Sequence, residues 1–277
     1  MNVPYSIALR DVTVAFIQED GVRPVLQHID LEIASGQFVA VLGSNGSGKS
    51  TLLRVAAGLL PVSRGTVERL DDSPIPIIFQ NPDAQIVGET VIEDIRFGLE
   101  NLAVPAEQMG ERVSRALESV GLAGCEARAI DKLSGGQKQL VCVASAMAMQ
   151  PSVLVMDEPT AMLDTTSKQR LIAIAKQWKR EGKTVLWSTH MMDEVGLADR
   201  VIVLASGRIV FDGTAEDFFY GDDENDGGGV GSPCDRFGFR PPYAVELVRS
   251  LRRRGLLHDC KPVLVEDCME AVSRLCR

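Results

Sequence analysis

No apolar run in this chain reaches the ~18 residues that a membrane-crossing helix needs. The longest candidate, "LVCVASAMAM" at 140–149, is about half that length. The N-terminal stretch "MNVPYSIALRDV" lacks a basic start followed by an apolar core, so no secretory signal is read and a cytosolic chain is expected. No C-x-x-C pair occurs among the six cysteines, Cys125, Cys142, Cys234, Cys260, Cys268 and Cys276. Reduced thiols are therefore expected. Cys268 and Cys276, eight apart, could share one helix face, and a metal site with His258 is conceivable, but plain packing is the simpler reading. Positive charge is also in deficit, with 29 Lys and Arg against 38 Asp and Glu and a net charge of −9. That argues against broad binding to nucleic acid or anionic lipid. A role at a membrane would require docking on another protein. No internal repeat is present.

What the chain does have is 277 residues with 45% apolar content, enough for a sizeable core and one or two domains. "QFVAVLGSNGSGKSTLLRVAAGLL" (37–60) reads as strand, glycine loop and helix. The strand is Phe38–Leu42, and the helix is expected from Gly48 to Leu60, stopped by Pro61. "SVLVMDEP" (152–159) and "TVLWSTH" (184–190) are further continuous apolar runs, as expected for strands covered on both faces. "RVIVLASGRIVFDG" (200–213) reads as a hairpin joined at Ser206-Gly207. A mostly helical stretch is expected at roughly 89–150. Its helix after Gly136 is apolar on nearly every side and should be buried. "GDDENDGGGVGSP" (221–233) reads as a flexible linker, followed by helices at 242–255 and 265–277. The cluster Arg252–Arg254 reads as a solvated helix end or a binding patch.

Three of these strands end in polar residues: the glycine loop, then Asp157-Glu158, then Ser188-Thr189-His190. In open α/β sheets ligands bind outside the carboxyl ends of strands, so the three endings are expected to face one ligand. Gly43, Gly46, Gly48, Lys49 and Ser50 match the phosphate-loop pattern G-x-x-x-x-G-K-[ST]. The whole loop, Gly43, Ser44, Asn45, Gly46, Ser47, Gly48, Lys49, Ser50 and Thr51, is read as an ATP cradle. Its backbone N–H groups would wrap the phosphates, with Lys49 reaching the β and γ oxygens and the Ser50 hydroxyl on Mg²⁺. Asp157 is placed for a second Mg²⁺ contact and Glu158 for orienting an attacking water. His190 could bond the γ-phosphate or that water, and Gln80, in "IIFQNPD", the water or the metal. Each has a plainer alternative: a glycine-rich turn, a carboxylate pair capping the next helix, a structural histidine. A second glycine-rich cradle, "LSGGQKQ" with Ser134, Gly135 and Gly136, opens a helix without a ligand of its own.

Together, "GSNGSGKST", "FQNPD", "LSGGQKQ", "VLVMDEPT", "MLD" and "STH" stand in the order found in ATP-binding-cassette (ABC) ATPases, and over about residues 6–220 the chain resembles that family. The resemblance implies an α/β fold. It would hold a RecA-like, mainly parallel sheet core of the phosphate-loop NTPase type, a β subdomain, and a helical signature subdomain at about 89–150. The cassette would span 1–220, with a linker and C-terminal helical extension at 221–277. It also implies that Phe16 stacks on adenine, that Gln80 couples the site to a membrane partner, and that Asp164 bridges two sites. Two ATPase chains, copies or paralogs, would pair head to tail, and Ser134, Gly135 and Gly136 would then contact the nucleotide held by the neighbour. "FQNPDAQIVGETVIEDIRFGLEN", "AMLD", "STHMMDEVGLADRVIVL" and "PYAVELVRSLRRRGL" resemble the ATPases of energy-coupling-factor transporters. That narrower resemblance implies an ATP-hydrolysing importer subunit on the cytoplasmic face of the cell membrane. It would work with a transmembrane coupling subunit and a substrate-binding membrane subunit. The rivals are another ABC importer, a soluble ABC ATPase acting on ribosomes or DNA, and a regulatory nucleotide-binding module. The segment between Thr51 and Gln80 is shorter than the family's, and Leu140 stands where a basic residue is common.

Overall fold

In the computed structural model, which describes residues 5–18, 21–70, 73–221, 231–257 and 260–275, an antiparallel pair comes first: β1 (Tyr5–Gln18) and β2 (Gly21–Ala34). β3 (Phe38–Gly43) leads through the glycine loop into α1 (Lys49–Ala56). β4 (Arg64–Arg69) returns to pair with β1 and completes a three-stranded sheet, β2-β1-β4. The short β5 (Ile77–Ile78) precedes α2 (Val91–Asn101), α3 (Ala106–Ser119) and α4 (Gly135–Ala148). There follow β6 (Val153–Asp157), α5 (Thr165–Arg180), β7 (Thr184–Ser188), α6 (Met192–Val195), β8 (Arg200–Ala205), β9 (Arg208–Gly213) and α7 (Ala215–Tyr220). Beyond residue 230 come α8 (Pro233–Arg236), α9 (Tyr243–Arg253) and α10 (Val265–Leu275).

The second sheet runs β5-β6-β7-β3-β8-β9 and is parallel except for β9. Its strands are continuously apolar because both faces are covered. On β3, Phe38, Ala40 and Leu42 enter a cluster with α2, α4 and α5, while Val39 and Val41 enter another with β1, β2 and α1. This two-residue alternation is that of a pleated strand. The architecture is the α/β one expected, with a mainly parallel core, a small β sheet and a helical segment. α4 is buried as its composition implies: Leu140, Val141, Val143, Ala144 and Ala146 are all inside, and Met147 is half-buried. The β8–β9 turn falls at Ser206 (φ 49°) and Gly207 (φ 75°), two consecutive left-handed residues whose twist suits a tight hairpin.

The end of α1 departs from expectation. Gly58 takes a φ of 76°, its N–H donates to the Val55 carbonyl, and the Leu59 N–H reaches back to Arg54. A Schellman turn on a left-handed glycine therefore ends the helix before Leu60, and Pro61 lies outside it. α8 was also not anticipated. Its signal is the short run Ser-Pro-Cys-Asp, in which Ser232 and Asp235 form a reciprocal capping box with proline at the first turn.

The C-terminal helices are not held apart from the cassette. Cys234, Val245, Val248 and Cys268 are buried in the same cluster as Phe38, and Phe239 packs edge-on against Phe218. The Tyr220 hydroxyl donates to the Pro262 carbonyl at 2.6 Å. Arg252, part of the arginine cluster, lies over the Tyr220 ring. Cys268 is buried, and burial pushes its thiol up to about 11. Of the linker, residues 222–230 lie outside the described residues, as do His258 and Cys276. Among the described residues, no group of three or more His, Cys, Asp and Glu could hold a metal, and no helix is long and apolar enough to cross a membrane.

Candidate nucleotide site

β6, β7 and β3 are neighbours, which brings their carboxyl ends to one edge of the sheet. Asp157 stands in register with Ser188, and Ser188 with Val41. The polar endings thus converge as expected. A cavity of about 580 Å³ opens there, lined by Asn45, Gly46, Gly48, Lys49, Ser50, Thr51, Gln80, Glu158 and His190. Two of its walls were not foreseen, Arg23 and Val25 on β2. Phe16 does not line it. It is partly exposed on β1 with Arg23 directly across the ladder, so both side chains share one face.

The loop's glycines are required by space as well as conformation. A Cβ on Gly43 would lie 2.5 Å from the Leu204 carbonyl oxygen, and one on Gly48, at φ 108°, would lie 2.8 Å from a methyl of Leu26. Gly48 gives α1 no side-chain cap, so the helix presents uncapped N–H groups, an anion-binding end. Ser47 Oγ is buried without a hydrogen-bond partner. Lys49 is almost wholly buried. Its ammonium donates to the carbonyls of Gly43 (2.9 Å) and Ser44 (3.4 Å) and lies 3.6 Å from Glu158 Oε1. Burial lowers its pKa, while the carboxylates of Glu158 and Asp157 oppose that shift.

Glu158 is held in the left-handed region, φ 49°, which is uncommon for a residue with a Cβ. Ser188 explains how. Its hydroxyl accepts from the Glu158 N–H (2.9 Å) and donates to Asp157 Oδ1 (2.8 Å), so one side chain orders both acids. The Glu158 side chain then meets His190 Nε2 at 2.6 Å. Ser188 stood in the "STH" run, but its composition assigned it no separate task.

The signature loop lies elsewhere. Ser134 caps α4 in a reciprocal box with Gln137 (3.2 and 3.1 Å). Gly136 is packed against Asp164 and Ser167. None of Ser134, Gly135, Gly136 and Asp164 lines the cavity. Two contacts tie α4 to the Gln80 segment instead: Gln139 Nε2 to the Phe79 carbonyl (3.0 Å) and Lys138 to Asp83 (2.6 Å).

The chain is similar to the energy-coupling factor transporter ATP-binding protein EcfA1 of Symbiobacterium thermophilum, at 40% identity across 99% of each chain. It belongs to the energy-coupling factor transporter ATPase family. Residues 26–161 match the ABC transporter family, the span that runs from β2 past Glu158. Among solved structures, it is similar to cbiO1 from Clostridium perfringens, part of the ABC transporter complex cbiONQ (TM-score 0.67, 29% identity, covering 90% of this chain and 95% of that one). It is similar also to the ATP-binding cassette MJ0796 in a dimeric post-hydrolysis state bound to ADP and Pi (TM-score 0.68, 26% identity, 76% and 98%). In this member of the energy-coupling factor ATPases, the glycine loop lines the cavity and the signature turn lies outside it.

Proposed function

We propose that this chain binds and hydrolyses ATP to drive an energy-coupling factor importer that takes up a vitamin or a metal ion. The observation that carries the reading is the Glu158–His190 pair, 2.6 Å apart, with Lys49 3.6 Å from the same carboxylate oxygen at the mouth of the phosphate loop. The loop's uncapped N–H groups and Lys49 receive the phosphates. Glu158 orients a water for in-line attack on the γ-phosphorus, and His190 holds that carboxylate in place. The oxygen donors of Ser50, Asp157 and Gln80 suit a hard cation. Together they would hold Mg²⁺, which would neutralise charge on the phosphate oxygens.

The outlying signature loop supports pairing of two such chains, copies or paralogs. Each would lend Ser134, Gly135 and Gly136 to its neighbour's ATP, with Asp164 beside them and Phe16 at the adenine. The exposed apolar residues Val87 and Phe97 lie in the stretch from Gln80 to Asn101 and suit a transmembrane coupling subunit on the cytoplasmic face of the membrane. Solute choice would then lie with a separate substrate-binding membrane subunit. Purification of the chain from native membranes tests this. A small polytopic membrane protein should accompany it, with ATPase activity in the complex. A chain recovered only free, or with ribosomes, would overturn the reading.

A further inference from the structure

Behind the cavity lies a buried acid that the hydrolytic reading leaves unused. The Glu194 side chain has no exposed surface and is not among the residues lining the cavity, so it does not touch substrate. Its Oε1 accepts from Thr160 Oγ1 at 2.7 Å and pairs with Lys168 Nζ at 3.0 Å. Its Oε2 accepts from Thr189 Oγ1 at 2.6 Å and Trp187 Nε1 at 3.0 Å. Four donors fill the acceptor capacity of one ionised carboxylate.

Those donors come from three segments. Thr160 sits two residues after Glu158, in the turn that follows β6. Thr189 directly precedes His190, and its oxygen also accepts the Met191 N–H at 2.9 Å, so His190 is held from both sides. Trp187 anchors the end of β7, and Lys168 ties the group to α5. The unfavourable backbone of Glu158 needs surroundings that over-determine it, and the carboxylate of Glu194 joins the two segments that carry Glu158 and His190.

We propose that Glu194 is a positioning residue that sets the distance between Glu158 and His190. The inference rests on the reading of those two as the hydrolytic pair. Glu194→Gln keeps the volume but offers one acceptor oxygen in place of two, leaving buried donors unpaired. In the full-length chain it is expected to lower kcat about tenfold or more while KM and the affinity for a fluorescent ATP analogue stay within about twofold, because the phosphate loop is untouched. A general structural support behaves differently. Placed in a His190→Ala background, a positioning residue should cost less than about twofold further, whereas independent effects would multiply. Thr160→Val and Thr189→Val each remove one donor at nearly constant volume. They carry the same test if Glu194→Gln does not fold, with an expected loss in kcat of about fivefold. An unchanged kcat in these variants, a parallel loss of nucleotide affinity, or a full multiplicative loss in the His190→Ala background would overturn the proposal. Glu158→Gln, measured alongside, separates the two ideas. Turnover retained there sinks the hydrolytic reading itself, while turnover lost there and kept in Glu194→Gln sinks the positioning role alone.

Discussion

Gly136, in the signature loop, packs directly on Asp164: a Cβ built on the glycine would lie 3.0 Å from Asp164 Oδ2 and 2.6 Å from Ser167 Oγ. The aspartate is already engaged, capping α5 through the N–H groups of Thr166 and Ser167, each at 3.0 Å. Those N–H donors, with the Ser167 hydroxyl, hold its carboxyl below the usual carboxylate range. Gly136→Ala is therefore expected to push the cap away. Tm should fall by a few degrees and ATP-dependent pairing should weaken, with nucleotide binding to the single chain unchanged. Differential scanning calorimetry and sedimentation with and without ATP check this. The cap's pH dependence has a definite sign. Its contribution is present above the unfolded pKa of the acid and is lost as pH falls through the lowered folded value, so Asp164→Asn should remove that acid-side loss.

The separation of the two cradles predicts complementation between chains. If two copies pair, a Lys49→Ala chain and a Ser134→Arg chain would each form a homodimer without an intact site. Mixed, they would form a dimer in which one site joins the phosphate loop of the second to the signature loop of the first. ATP-dependent association should return at intermediate mixing ratios and be absent at either extreme. If the natural partner is a paralog, one lesion goes into each chain. No recovery, with subunit exchange confirmed, would mean that Ser134 acts within its own chain.

Within the cavity, binding and turnover should separate. Glu158→Gln leaves Lys49 and the loop N–H groups in place, so ATP affinity should hold while steady-state turnover falls below about a tenth of wild type, a loss within the range for a positioned acid–base group. Lys49→Ala removes the buried charge of the glycine loop and should weaken binding itself. Equilibrium titration with a fluorescent nucleotide, set beside phosphate release, distinguishes the two.

Val87, exposed beside the Gln80 segment, is the position at which to test docking. An apolar contact does not accept an unpaired charge without loss. Val87→Glu should abolish co-purification with the membrane subunit and leave ATP binding intact. Assembly undiminished in that variant would place the contact elsewhere.

Much of the site was legible because each of its groups sits at the end of a continuous apolar run. Gly43, Asp157 and Ser188 end β3, β6 and β7, and strands covered on both faces announce themselves without periodicity. Less was legible where two local signals compete. Both Gly58 and Pro61 can stop α1, and the left-handed glycine acted first. The β2 wall of the cavity was invisible because nothing local says that Arg23 and Val25 come back over a loop whose glycines follow them by many residues.

By itself, the sequence determined the phosphate loop, the acid pair at the end of β6, the histidine after β7 and the signature turn. Each depends on residue type and on backbone conformations written into neighbouring residues. Tertiary structure alone decided which of these share a cavity. The parallel order of β6, β7 and β3 brings Glu158 to His190, and the packing of α4 against Asp164 carries Ser134 away from its own phosphate loop. It also decided the environment of Glu194, an unremarkable acid in "MMDEV" until the turn after β6, α5 and the end of β7 fold around it. A carboxylate finds such a full set of partners only when the chain closes, since Thr160 and Lys168 are distant from it in sequence and its burial is a property of the whole core.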